Sequence, residues 1–254
     1  MVSLFKELMK FSVIIPTYNE EKYISSCLVS IKNQHYDKNE FEIIVADACS
    51  TDNTITIAKK YADKIVQTEK RGISVGRNLG ASVAQGEILL FVDADAKLEI
   101  DFLMQCENSF KNEKVVGVTG IAYPIDGKLL QRLVYKGTYV LVRLFNYINL
   151  SLFPGICVAY RKPVYKEVNG FREDFGIVED LDLSRRISRF GKCVVNTKAR
   201  AYVSTRRLQK NLFSTVLFHI YCDIRYLISQ KAPGTYLKTE EVNKPSDLWK
   251  QLKK

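Results

Sequence analysis

The first half of the chain repeats one pattern. Short runs of β-branched and aromatic residues, at 11–15, 41–46, 64–67, 88–93 and 115–122, alternate with stretches of helical spacing at 21–34, 51–61, 73–85 and 101–111. Strands separated by single helices form βαβ units, whose crossovers are right-handed and whose strands run parallel. The pattern therefore predicts an α/β fold with a mostly parallel central sheet flanked by helices. In such sheets ligands bind beyond the carboxyl ends of the strands. Three polar segments fall at those ends: Pro16-Thr17, Asp47-Ala48 and Asp93-Ala94-Asp95.

The second half is less regular. Residues 128–148 read as a helix with aromatic and basic residues interleaved, 155–160 as a strand and 179–190 as a helix. A short strand closes at Val203, and 208–229 is a long apolar-aromatic helix. The lysine-rich segment 231–254 reads as a tail. Its prolines and glycine argue against a continuous element. The stretch 144–160 carries no charge, but Asn146, Asn149 and Pro154-Gly155 interrupt it, so it is not expected to span a membrane. The N-terminus lacks the apolar core of a secretory leader. The six cysteines are dispersed without metal-binding spacing, which predicts reduced, mostly buried thiols.

Charge divides the chain. Residues 1–127 carry 14 Lys/Arg against 18 Asp/Glu, whereas 128–254 carry 24 against 10. The whole chain's net +10 is thus a first half at −4 and a second half at +14. It implies an anionic partner there: a membrane surface, an acidic substrate or a nucleic acid.

Asp93 and Asp95 stand two residues apart at a strand end, where hard carboxylate oxygens suit Mg²⁺ or Mn²⁺. Asp47 could accept a hydrogen bond from a base or ribose. Arg71 and Arg77 offer guanidinium forks for phosphate or base. Glu179-Asp180 opens a helix, where acids are favoured by the dipole alone, but either could serve as a general base. Glu173 and Asp174 remain an alternative on spacing alone.

Segments 12–20, 45–54, 71–96 and 170–187, in that order, resemble the family-2 glycosyltransferases with the GT-A fold. The resemblance implies an inverting, metal-dependent transfer from a UDP- or GDP-sugar. Within it, Pro16, Thr17, Tyr18 and Glu20 match the first nucleotide loop. Asp47 matches the acid that contacts the base, with Ala48 where a second acid is common. Arg71 and Arg77 match the basic region near base and phosphates. Asp93, Ala94 and Asp95 match the DxD motif, with Asp95 and Asp93 as metal ligands. Asp180 matches the catalytic base, with Glu179 beside it. Arg206 and Arg207 resemble the basic motif that meets the diphosphate or acceptor. The chain lacks the QxxRW-type motif and multiple spans of processive synthases, which implies that one sugar is moved per encounter.

The expectation is a single GT-A domain over residues 1–230, with a donor half at 11–127, an acceptor half at 128–230 and a basic tail at 231–254. The acceptor is expected to be a hydroxyl on a lipid-linked or membrane-proximal molecule. The protein is expected to be cytoplasmic and peripheral at the inner face of the cell membrane. A polyprenyl-phosphate sugar synthase is the nearest alternative. A nucleic-acid-binding protein is the more distant one, and no nucleic-acid partner is expected because no recognised motif for one appears.

Overall fold

A computed structural model describes residues 9–206 and 212–233. Its eight strands form one sheet in the order β3-β2-β1-β4-β7-β6-β8-β5. β1 (Phe11–Thr17), β2 (Phe41–Asp47), β3 (Lys64–Gln67) and β4 (Ile88–Val92) are mutually parallel neighbours. Nearly every residue of β1, β2 and β4 is buried, because helices cover both faces. That is why these strands read as continuous apolar runs and not as alternating patterns.

Alternate residues feed two cores. Val13 and Ile15 join Ile24, Leu28 and Phe102 on one face, while Ile14 joins Ile44, Phe91 and Leu183 on the other. α1 (Ile24–Lys32) buries Ile24, Cys27, Leu28 and Ile31, the stripe that helical periodicity demands. α2 (Thr54–Ala58) and α3 (Ile73–Ser82) complete the crossovers between the parallel strands. Gly80 lets α3 press on β1: a Cβ there would stand 2.4 Å from the Ile14 side chain.

The second half departs from parallel order. β7 (Cys157–Arg161) is inserted antiparallel between β4 and β6 (Val115–Pro124). β8 (Lys192–Val203) lies parallel to β6, and β5 (Ala96–Leu98) pairs antiparallel with β8. Six strands therefore share one direction, and β5 and β7 oppose it. The expected short strand closing at Val203 is a twelve-residue strand, and β5 and α6 (Lys162–Glu167) are additional to the elements that the sequence pattern predicts.

α4 (Phe102–Phe110), α5 (Leu129–Tyr147), α7 (Glu179–Ile187) and α8 (Leu212–Ser229) match the expected helices within a few residues at each end. Phe218, Cys222 and Tyr226 of α8 pack against Phe175, Ile177 and Val178, the segment that leads into α7. Five cysteines are buried, Cys49 is half-buried, and all six are free thiols. Among the described residues no helix is long and apolar enough to cross a membrane. Most of the expected tail, and the start of the expected last helix, lie outside the described residues.

Candidate active site

The strand directions gather the candidate residues at one edge of the sheet. β1, β2 and β4 end there at Thr17, Asp47 and Val92, and β7 enters there because it runs the other way. β6 and β8 also finish at this edge, at Pro124 and Val203.

The first two loops are stitched together. The Asn19 N–H donates to the Ser50 hydroxyl at 2.8 Å, and the Thr51 N–H donates to Asn19 Oδ1 at 2.8 Å. The Glu20 N–H donates to Thr54 Oγ1 at 2.7 Å. Asn19 and Cys49 hold positive φ angles of 54°, tight turns that asparagine tolerates and cysteine rarely adopts. Asp47 is fully buried. Its carboxylate accepts from Thr17 Oγ1 at 2.8 Å and from the Ser50 hydroxyl and N–H at 2.5 and 2.8 Å. Pro16 lies beside Gly76, where a Cβ would come within 3.2 Å of its ring. Tyr18 sits under the Arg71 guanidinium, 3.6 Å from ring centroid to carbon. Arg71 is exposed and Tyr18 half-buried, so this stacked pair borders solvent.

Arg77 points elsewhere than Arg71. Its side chain is 1% exposed, and one Nη lies 3.0 Å from Asp93 while the other lies 3.0 Å from Glu179. It also donates to the Gly155 carbonyl at 3.1 Å and stands over the Phe171 ring. The guanidinium thus bridges the DxD segment to the Glu179-Asp180 helix. A buried cation between two carboxylates compensates their desolvation, which an unpaired charge could not survive.

Glu179 is buried, and its carboxyl is pushed up to about 7 by burial and then by the charge of Asp180, with Arg77 opposing. Asp180 is half-buried. One of its carboxylate oxygens accepts the Gly155 N–H at 2.6 Å and the other the Leu181 N–H at 2.9 Å. Burial raises its pKa, while Arg77 and these two amides hold the rise back. Val178, directly before this pair, has φ 61°. A β-branched residue in the left-handed region is strained, and such strain concentrates at functional segments.

Asp93 and Asp95 are both nearly buried, with Ala94 between them also buried. Arg206 Nε lies 2.8 Å from Asp95, and the same guanidinium takes Glu20 in a bidentate pair at 2.6 and 2.8 Å. Arg206 also stacks over Tyr23. Arg207 lies outside the described residues. No group of three or more His, Cys, Asp or Glu side chains among the described residues could enclose a metal ion. Asp93 and Asp95 are hard oxygen donors of the kind that suits Mg²⁺ or Mn²⁺, and here each lies against a guanidinium, Arg77 on Asp93 and Arg206 on Asp95. Glu173 and Asp174, the alternative acids, are exposed, and Glu173 pairs with Lys70.

Three residues of this edge stand outside the sequence motifs: Gly155, Val178 and Asp223. A Cβ on Gly155 would stand 2.7 Å from Arg77 Nη2 and 3.1 Å from Asp180 Oδ2. The Pro154-Gly155 pair marked only a break in an apolar stretch. Asp223 of α8 has its carboxyl raised to about 7, first by burial and then by the charge of Asp180. The acid in an otherwise apolar helix was the available clue.

A family profile described as "Glycosyl transferase family 2" matches residues 12–168. The poly(ribitol-phosphate) beta-N-acetylglucosaminyltransferase TarS of Staphylococcus aureus is 38% identical over 146 residues, which is 55% of this chain and 25% of that protein. The crystal structure of S. aureus TarS 1-349 in complex with UDP-GlcNAc superposes with a TM-score of 0.65 at 28% identity, covering 78% of this chain and 59% of that one. The mannosyltransferase PcManGT from Pyrobaculum calidifontis, in complex with GDP-Man and Mn²⁺, superposes with a TM-score of 0.71. At 22% identity over 88% of this chain and 66% of that one, the latter likeness speaks for the fold alone. The chain spans about a quarter of the length of its curated TarS relative.

Proposed function

The chain belongs to glycosyl transferase family 2 and has the GT-A fold, and from that premise we propose an inverting, metal-dependent transfer of one sugar from a nucleoside-diphosphate sugar to an acceptor hydroxyl. The observation that carries the reading is the bridge through Arg77. It joins Asp93, at the end of a donor-half strand, to Glu179 and hence to its neighbour Asp180. Donor carboxylates and a general base then face one crevice.

Thr17, Tyr18, Asp47 and Arg71 form the nucleotide side, with Asp47 fixing the loop through Thr17 and Ser50. Asp95, with Asp93 beside it, would hold the divalent cation. That ion, when bound, offsets charge on the departing diphosphate. Arg206 lies against Asp95 and Glu20, where a guanidinium can meet the same phosphates.

Asp180 takes the proton of the acceptor hydroxyl as its oxygen forms a bond to the anomeric carbon and the bond to the diphosphate breaks. A single displacement inverts the configuration. Of the two acids, Asp180 is assigned as base because it is the more accessible and because two backbone amides aim its carboxylate. Glu179 is tied to Arg77 and positions the pair. A base is needed for a neutral hydroxyl and not for an acceptor already ionised, which favours this reading over a polyprenyl-phosphate sugar synthase.

The basic second half favours an acceptor that is anionic or presented at an anionic surface, such as a lipid-linked or membrane-proximal glycan. The name of the TarS relative, which includes poly(ribitol-phosphate), is consistent with a phosphate-bearing acceptor.

The test is Asp180→Asn. Turnover is expected to fall by about 10²–10⁴, while the thermal stabilisation given by donor and Mn²⁺ is retained. Unchanged turnover would overturn the assignment of the base.

A further inference from the structure

We infer that the outward face of α5 is a docking surface for an anionic lipid bilayer. α5 has two apolar faces. Tyr139 and Val142 are buried toward the sheet. Leu129, Leu133, Val140, Leu141, Leu144 and Ile148 are each about half exposed or more. At about 100° per residue these six fall within one stripe roughly 120° wide, opposite the buried face. A solvent-facing helix surface is ordinarily polar; a second apolar stripe needs something to cover it.

The flank of the stripe identifies the cover. Arg132, Lys136 and Arg143 are exposed and follow one border. No acidic residue occurs between Asp126 and Glu167. Apolar residues bordered by lysine and arginine, with no acid, match the boundary between acyl chains and anionic headgroups. A second copy of the chain would fit poorly, because a two-fold pairing of this face sets like charges together with no acid to answer them. No helix among the described residues is long and apolar enough to span a membrane, so α5 would lie along it.

α8 repeats the arrangement. Leu217, Ile220, Ile224 and Ile228 are exposed, while Phe218, Cys222 and Tyr226 are buried on the opposite side.

Both ends of α5 lead to the crevice. Before it, the Asp126 carboxylate accepts the Thr205 N–H and hydroxyl, each at 2.9 Å, next to Arg206. After it, Gly155 donates to Asp180. A bilayer on α5 would bring membrane-borne hydroxyls toward the base. In that respect the inference deepens the acceptor reading and rests on it for its purpose, but not for the binding itself.

The experiment is sedimentation of the full chain with vesicles of phosphatidylcholine, alone and mixed equally with phosphatidylglycerol. Expected is binding to the mixed vesicles that weakens with salt, and little binding to phosphatidylcholine alone. The double variant Leu133→Asp with Leu144→Asp should lose roughly tenfold or more. Arg132→Glu with Lys136→Glu should lose about fivefold or more per residue. Thermal stabilisation by UDP-GlcNAc or GDP-Man with Mn²⁺ should be the same in all variants as in the parent, which shows them folded. A parent protein that stays in the supernatant with mixed vesicles would overturn the inference. So would unchanged binding in the aspartate variant, or a concentration-dependent dimer that this variant dissociates. Vesicle binding is read without sugar transfer, so absence of transfer would count against the function and leave the surface standing.

Discussion

The Gly155 amide donates to Asp180 at 2.6 Å, and the α-carbon that carries it has no room for a side chain. A Cβ at this position would stand 2.7 Å from one Arg77 nitrogen and 3.1 Å from the Asp180 carboxylate. Gly155→Ala must therefore displace Asp180, the proposed base, or Arg77. A shift of about 1 Å at a reacting group can cost on the order of 10² in rate. The expectation is a drop of that order in kcat with a much smaller change in donor KM, read from steady-state kinetics beside a melting curve.

Arg77→Met should act first on stability. It leaves Asp93 and Glu179 buried without their shared cation. Removing one partner of a buried ion pair costs about 3–5 kcal/mol. Chemical denaturation should show a loss of that size. Arg77→Lys should recover only part of it, because one ammonium cannot reproduce the fork that reaches both acids and the Gly155 carbonyl. If Arg77→Met were as stable as the parent, the bridge would not be structural.

Asp223 gives a pH prediction. Burial, and then the charge of Asp180, raise its carboxyl from 3.8 to about 7. The folded state therefore holds this proton more tightly than the unfolded chain does. Stability contributed by this group is complete below about pH 3.8, falls as pH rises, and stays at its low value above about 7. Asp223→Asn should match the parent near the acid end of that window and exceed it in stability above neutrality. Urea unfolding at both ends measures the difference, and a gap that grows toward acid would contradict the sign.

How far the sequence reveals this site depends on the range of each interaction. β1, β2 and β4 were legible because burial on both faces makes their apolar runs continuous. Asp47, Asp93 and Asp95 were legible because strand direction puts them at the ligand edge. The role of Arg77 was not. Its partners lie 16 and 102 residues away, and spacing alone paired it with Arg71, whose side chain is exposed and lies on Tyr18. β8 is longer than its sequence pattern suggests because its middle, Asn196 to Lys198, is half-buried or exposed and polar, without the alternation that marks a strand. The reversed β7 carries no local signal at all, since direction is a property of connections.

The Arg206 contacts predict how donor and cation cooperate. In this structure its guanidinium lies on Glu20 and on Asp95, the carboxylate assigned to the metal. Arg206→Ala should raise donor KM while leaving Asp95 open to cation. Asp95→Asn should abolish the extra thermal stabilisation that Mn²⁺ adds to a UDP- or GDP-sugar. A ligand at about 100 times its Kd stabilises by about 2.7 kcal/mol, so the loss is measurable as a shift in Tm. Equal stabilisation with and without a chelator in the parent would remove the cation from the proposal.

The reversed β7 decides which part of this fold can be varied. The chain leaves the sheet at Pro124, the crevice end of β6, and returns at Cys157, also at the crevice end, because β7 runs backward. Everything between is an excursion that starts and finishes beside the candidate site. Its length and surface can be rewritten while β1, β2 and β4 keep the donor carboxylates where they are. The fold thus separates the parallel strands that carry Asp47 and Asp93 from a loop-out whose two ends are anchored at the same end of the sheet.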